Sequence, residues 1–453
     1  MTSNLFFNSP PLGILYMAAV LEEDGHQVTV TDASLEGHGP DDLAKMGRDI
    51  QPDLVGIGAT TTYFENASAT AKALRRYLPD ARIGVGGPHL TGNTDVLLGR
   101  DEFDFGVIGE GEIAMKEIAG HLRRGESYRD VHGVVTRSNG SLHFAPARPL
   151  NTELDELPFP ARHLLPIHKY RPMPGDQHIL PKTSMIGSRG CPFKCTFCDK
   201  QTFGPQFRGH SPERIVREMH YLKNEFGVRD VAFVDSVFTP NRRRVSDMMD
   251  AMEADPPGLT WSGSCRANVL DRELLTRMRK MGAWRVRIAI ESGDDEILDR
   301  IRKGIKVEDF KRTARIAAEL GFDVKVFFMV GHPGETPETI DKTIKLAKSL
   351  PLKDVTVQIN TPLKGTAQYE EVDKWGTMLD VDAAAHSFFE PVFVPNGMTA
   401  KMLVNAQRRF YREFYLRPSV IWRHLRKIRC WADITKFFRA APLLFTLIRP
   451  SGK

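Results

Sequence analysis

The chain has 453 residues, 41% of them apolar and 26% charged, which is the balance of a globular protein too long for one ordinary core. Five cysteines, three in one short stretch, argue against a disulfide framework and for a reducing compartment; no signal peptide opens the sequence and no apolar run reaches the ~20 residues of a membrane helix, so the protein is expected to be cytoplasmic. The net charge of +5 is uneven: Lys401 to Lys453 carry 13 Lys/Arg against Glu413 and Asp433, a balance of +11, which leaves −6 on the other 400 residues.

Residues 11–24 read as a helix, with Leu15, Ala18 and Ala19 at helical spacing and Gly25 as its left-handed cap. A strand (Val28–Thr31), an acidic helix (Asp41–Asp49), a strand (Leu54–Gly58), a helix (Glu65–Leu78) and a strand (Arg82–Gly86) follow. This alternation predicts a doubly wound, Rossmann-like parallel sheet over residues 1–125. Ligands of such sheets sit at the carboxyl ends of the strands. Two strand ends stand out, Gly58-Ala59-Thr60-Thr61-Thr62 and Gly84-Val85-Gly86-Gly87-Pro88-His89, where glycines let backbone lie against a bulky ligand. Ahead of the first helix only Leu5-Phe6-Phe7 is apolar enough for a strand. Either that strand is very short or the true start lies upstream.

Residues 126–182 read as a transition. Val134–Thr136 and Leu142–Phe144 flank Ser138-Asn139-Gly140, a hairpin signal. Eight prolines between Pro146 and Pro181 then predict an extended, surface-hugging linker.

From Thr183 the alternation resumes for six strands, ending about residue 375. Ser184–Ser188 comes first, and Ser211-Pro212 starts the helix that follows. Further strands fall at Val231–Val234, Thr260–Cys265, Val286–Ile290, Val324–Val330 and Val355–Ile359. Helices at Arg242–Met252, Arg272–Met281, Asp295–Arg302, Val307–Leu320 and Thr339–Leu350 separate them. Six units are two short of a closed eight-fold barrel. A partial (β/α)6 barrel with function at its strand ends is expected. Residues 376–453 form a basic helical extension. From 399 it reads as three helical pieces broken near Pro418 and Pro442, with arginines interleaving Phe410, Tyr411, Phe414, Tyr415, Trp422 and Trp431. Such a segment packs on the open side of the barrel or lies on an anionic membrane.

The densest chemistry is Cys191-Pro192-Phe193-Lys194-Cys195-Thr196-Phe197-Cys198. Three thiolates this close repel one another unless a metal centre shares their charge. Compact cysteine runs hold iron–sulfur clusters, normally through four ligands, so three would leave one iron open. A zinc site would need a fourth ligand, and Cys265 and Cys430 are isolated.

This C-x3-C-x2-C loop resembles the cluster loop of the radical S-adenosylmethionine enzymes. The resemblance implies a 4Fe–4S cluster on Cys191, Cys195 and Cys198. The open iron would chelate S-adenosylmethionine and cleave it to a 5′-deoxyadenosyl radical, with Phe197 beside it. It also implies S-adenosylmethionine contacts at successive strand ends: Asp235 to the methionine ammonium, Arg266 to its carboxylate, Glu291 to ribose and the Gly331 turn to adenine. The front domain is similar to the cobalamin-binding domain of one branch of these enzymes, through Pro10-Pro11-Leu12-Gly13, Val85–His89 and Val107-Ile108-Gly109-Glu110-Gly111-Glu112. Thr60, Gly86 and Gly87 would then line the corrinoid; the alternative is a domain that merely shields the barrel mouth. The Asp-x-His-x-x-Gly signature is missing, so no histidine is expected on cobalt. Two further departures are Thr361-Pro362-Leu363-Lys364-Gly365-Thr366 after the last strand and His163 where relatives carry an acid.

The expected activity is methylation of an unactivated carbon, with radical cyclisation or rearrangement, as in anaerobic porphyrin cyclases, as the alternative. Transfer-RNA modification fits less well, because no cysteine precedes Cys191 and the C-terminal part is not strand-like. An external flavodoxin- or ferredoxin-type electron donor and a small-molecule substrate are the implied partners, the substrate lipid-like if the basic tail contacts the inner membrane face.

Overall fold

The computed structural model describes residues 9–176, 178–381 and 388–425 in two compact units. The first comprises the residues up to Arg171 together with Arg189–Cys191 and Asp199–Ser211; the second comprises Pro172–Ser188, Pro192–Cys198 and the residues from Pro212 onward. The expected strand at Leu5–Phe7 and the stretch from 426, including Cys430, Trp431 and Pro442–Ile448, lie outside the described residues.

The first unit holds a five-stranded sheet in the order β1 (Leu54–Gly58), β2 (Arg82–Gly86), β3 (Phe105–Val107), β4 (Val134–Ser138), β5 (Ser141–Phe144). β1, β2 and β3 run parallel, and the hairpin β4–β5 continues the sheet antiparallel from β3. Helix Phe64–Arg75 covers one face, where Ala67, Ala71 and Leu74 pack with Ile83 and Val85. Helix Glu112–Arg123 packs Ala114, Met115 and Ile118 with Phe105, Val107 and Val134. Apolar packing on both faces is what a doubly wound sheet requires.

One expected strand is corrected. Residues 27–30 alternate between exposed and half-buried as a strand would, but residues 27–31 form no ladder among the described residues. Val28 and Val30 instead pack on Ala18, Ala19 and Ala161. The proline-rich stretch is anchored by single helical turns at 154–156, 162–164 and 167–169. Ala161 N donates to Leu15 O at 3.0 Å and Tyr170 Oη to Asp32 at 2.8 Å. His163 sits 3.1 Å from Glu22, so the unusual histidine faces a carboxylate within the unit.

The second unit is a six-stranded sheet, parallel throughout, in the spatial order β11 (Asp354–Ile359), β10 (Asp323–Val330), β9 (Ala283–Glu291), β8 (Thr260–Cys265), β7 (Asp230–Phe233), β6 (Lys182–Met185). Val286, Ile288 and Ile290 of β9 join Val324, Val326 and Phe328 of β10 in the outer core beneath the helices. Alternation therefore turns Arg285, Arg287, Ala289 and Glu291 to the inner face.

Helix Ala400–Tyr415 covers part of that outer face. Tyr411 Oη bonds Val357 N at 2.9 Å, Tyr415 Oη bonds Val355 N at 3.2 Å, and Phe410 packs on Phe328 with ring centroids 5.0 Å apart. The first piece of the basic tail thus packs on the barrel. Among the described residues no helix is long and apolar enough to cross a membrane.

Candidate active site at the strand ends

The cysteine loop follows β6 and has no regular structure from Gly190 to Lys194. Gly190, with φ of 74°, is the residue that lets the chain turn: a Cβ there would lie 1.9 Å from Gln206 O. None of the three cysteines is in a disulfide among the described residues, and all three are half-buried. Thr196 anchors the loop twice, its N–H donating to Ile301 O and its carbonyl accepting from Gln368 N, both at 3.0 Å.

Two aromatic residues of the loop each meet a cation. The Arg266 guanidinium lies 3.6 Å from the Phe193 ring centroid, and Lys303 Nζ lies 5.5 Å from that of Phe197. Such contacts contribute roughly 0.5–2 kcal/mol each, more where water is excluded. Arg266 Nη2 also donates to the carbonyls of Lys303 and Gly304. The arginine expected at the methionine carboxylate therefore braces the cysteine loop against residues 303–304.

Asp235 stands just beyond β7, 6% exposed, and accepts from Gly187 N at 2.8 Å and Ser188 Oγ at 2.6 Å. Burial pushes its pKa up to about 6 against those two hydrogen bonds. Both oxygens thus already hold the chain that leads into the cysteine loop.

Glu291 ends β9 at a bulge and has φ of 74°. A left-handed backbone at a residue other than glycine costs on the order of 1–3 kcal/mol and collects at functional sites. The Glu291 carboxylate accepts from Lys303 Nζ at 2.7 Å in a buried pair. Lys303 went unnoticed in the sequence because it lies in a loop rather than at a strand end. Its closeness to Glu291 along the chain was the available signal.

Gly331 opens the next strand end with φ of 89°, and its carbonyl accepts from Asn360 Nδ2 at 3.1 Å. Glu335 closes the turn by accepting from the backbone N–H groups of Gly331 and His332. Burial raises its pKa to about 8. His332 is fully buried, 5.9 Å from Phe197 between ring centroids, and burial, with Lys303 nearby, lowers its pKa to about 3. Neither of its ring nitrogens has a hydrogen-bond partner among the described residues. A neutral imidazole with both nitrogens unsatisfied is suited to a polar ligand at this position.

Cys265, in contrast, faces the apolar outer core, and burial pushes its thiol up to about 12. It is a core residue. Among the described residues no three His, Cys, Asp or Glu side chains converge as ligands of a single metal ion would.

In the first unit, Thr60 is exposed beyond β1, and Gly86 ends β2 with Gly87 just after it. Gly87 has φ of 105°, and a Cβ there would lie 2.7 Å from Ala59 O. These strand ends thus offer a floor of backbone and small side chains, which suits a large flat ligand. The Gly109–Glu112 stretch carries two acids that sequence reading left without partners. Glu112 pairs with Arg189 at 2.6 Å and Glu110 with Arg208 at 2.6 Å, all four nearly buried.

Residues 185–347 match the Radical SAM superfamily and residues 1–119 match the B12 binding domain. An uncharacterized methyltransferase of Pyrococcus horikoshii is 32% identical over 414 residues, covering 91% of this chain and 89% of that one. The chain belongs to the cobalamin-binding radical S-adenosylmethionine enzyme family. Its cofactors are a 4Fe–4S cluster, S-adenosylmethionine and cobalamin. A cytidylyl-2-hydroxyethylphosphonate methyltransferase of Streptomyces wedmorensis is 26% identical over 461 residues, covering 90% of this chain and 86% of its own. Among solved structures, the radical S-adenosylmethionine methyltransferase TsrM of Kitasatospora setae aligns with a TM-score of 0.71 at 17% identity, covering 90% of this chain and 87% of its own. At that identity the likeness shows the fold, which is the α/β front domain, partial parallel barrel and helical extension expected from the sequence.

Proposed function

We propose that this radical S-adenosylmethionine enzyme methylates an unactivated carbon of a small-molecule substrate. The observation that carries the reading is a loop of three half-buried cysteines, braced through Phe193 and Phe197, in a chain similar over nine-tenths of its length to a methyltransferase. When bound, the reduced cluster supplies the electron that cleaves S-adenosylmethionine, and cobalamin serves as the methyl carrier.

The chain's own part is to hold, orient and keep water out. Cys191, Cys195 and Cys198 hold the cluster. Phe197, Glu291, the Gly331 turn and His332 receive the adenosyl group, the buried Lys303–Glu291 pair fixing the carboxylate that faces ribose. Asp235 and Arg266 position the ends of the cysteine loop, and their proximity to it supports contact with the methionine moiety as well. Thr60, Gly86 and Gly87 form the corrinoid floor.

The deciding experiment supplies the anaerobically reduced enzyme with methyl-deuterated S-adenosylmethionine and a small-molecule extract. A product carrying the labelled methyl, formed with 5′-deoxyadenosine and S-adenosylhomocysteine in equal amounts, supports the proposal. An unlabelled product formed with 5′-deoxyadenosine alone overturns it in favour of cyclisation or rearrangement.

A further inference from the structure

The inner face of the barrel carries more cations than a structural role requires. At its base Lys182 pairs with Asp230 at 3.0 Å, Arg285 with Asp176 at 2.6 Å, and Lys325 with Asp176 at 2.9 Å and Asp354 at 3.6 Å. Asp176 enters from a single helical turn before β6, and against its burial Lys325, Arg285 and, at longer range, Arg287 hold its carboxyl well below the usual carboxylate range. These charges satisfy one another.

Arg287 differs. It sits one pleat above Arg285 on β9, in register with Ser264 on one side and Lys325 on the other. Its Nη2 donates to Ser262 Oγ at 2.8 Å, and its Nε has no partner among the described residues. Asp176 and Asp230 attract it at longer range, while Arg285 repels it. No carboxylate among the described residues is within ion-pair distance of it. Arg287 is half-buried, and a partly desolvated guanidinium with no counter-ion beside it is suited to an anion that arrives from elsewhere.

The space above Arg287 is open. Val234 is 46% exposed, and Ser264, Ala289, Phe327, Thr356 and Gln358 are half-buried, although all sit at inward register positions of a parallel barrel. Glu291, at the ribose position, is four residues further along β9, roughly 13 Å at the rise of a strand. Arg287 therefore lies below the S-adenosylmethionine residues, at the floor of the lumen.

We propose that Arg287 binds an oxyanion group, phosphate or carboxylate, carried by the substrate, and that the barrel selects for acidic substrates. This rests on the reading above that the barrel takes a small-molecule substrate. The planar fork of Arg287, one arm fixed by Ser262, suits either oxyanion, and the lumen wall above it gives the rest of the molecule mixed apolar and amide contacts.

The test titrates inorganic phosphate, acetate and the neutral acetamide into the full chain at 0.15 M salt, with cluster, cobalamin and saturating S-adenosylmethionine in place. Calorimetry reads binding without turnover. The expected result is saturable binding of phosphate or acetate, no binding of acetamide, and at least an about tenfold weaker constant in Arg287→Gln, the loss of a charge-assisted hydrogen bond. The tighter of the two anions identifies the group. Arg287→Lys, which keeps the charge and loses the fork, should weaken binding severalfold and serves if Arg287→Gln fails to fold. Wild-type enzyme that binds neither anion overturns the proposal, as does either variant binding like wild type. An enzyme that binds the anion through Arg287 but forms no labelled product refutes methylation and leaves this site standing.

Discussion

Lys303 Nζ lies 2.7 Å from Glu291 Oε1, with both side chains less than a tenth exposed. The pair joins a strained strand end to the loop that also receives Arg266, and Lys303 in turn faces Phe197 of the cysteine loop. One ion pair thus connects the expected ribose contact to the expected cluster ligands. Removing one member of a buried pair leaves the other uncompensated and costs about 3–5 kcal/mol. Lys303→Met should lower the denaturation midpoint accordingly and weaken S-adenosylmethionine binding, and adding Glu291→Gln should restore part of the stability. Equal stability of wild type and Lys303→Met would show the pair to be solvated.

Cys191→Ala, Cys195→Ala and Cys198→Ala should each lose the cluster, read as iron content and as the electron paramagnetic resonance signal of the reduced protein, and with it S-adenosylmethionine cleavage. Cys265→Ala should keep four irons per chain, since its thiol faces the outer apolar core and burial holds it protonated. Cys430→Ala should keep them as well. Loss of iron in Cys265→Ala would make it a fourth ligand and remove the open iron.

The barrel was legible because its outer face repeats Val286-x-Ile288-x-Ile290 and Val324-x-Val326-x-Phe328 between glycine-bounded helices. β9 begins at Ala283 rather than Val286, because Arg285 and Arg287 break the apolar pattern while pointing to the inner face. Inward charge cannot be told from outward charge by periodicity alone. The three-residue β3 is too short to show a period, and Val28–Thr31 has the alternation of a strand without a ladder. In the site, the cysteine loop and the glycine turns could be read locally. His332 beside Phe197 and Arg189 with Glu112 are meetings of distant segments, which spacing does not encode, and Lys303 meets Glu291 from an irregular loop that no periodicity marks.

Glu335 should leave a signature in the pH dependence of stability. Burial raises its pKa from 4.5 to about 8 in the folded protein. Between those values the folded state binds the proton that the unfolded state has released, so the Glu335 contribution to stability is lost as pH rises from about 4.5 through about 8. Its span is on the order of 5 kcal/mol. Glu335→Gln removes the titration and should flatten the fall in denaturation midpoint between pH 5 and 8.5. A variant whose profile parallels wild type would place the ionisable group elsewhere.

Cobalamin binding can be tested at both the floor and the metal. Gly87→Val places a branched side chain where a Cβ would already lie 2.7 Å from Ala59 O, at a φ of 105° that disfavours any such residue. It should reduce bound cobalamin from about one per chain by at least about tenfold, equivalent to ~1.4 kcal/mol, as read from the corrinoid absorbance of the desalted protein. The Co(II) form of the wild type should show no nitrogen superhyperfine splitting. His26 sits 3.3 Å from Asp24 at a helix end, and His89, the histidine following Gly87-Pro88, contacts Thr61 Oγ1 at 3.2 Å and stacks obliquely on Phe64 at 4.5 Å. Splitting that disappears in His89→Ala would instead make His89 the lower cobalt ligand. Undiminished cobalamin in Gly87→Val would move the corrinoid away from the β2 end altogether.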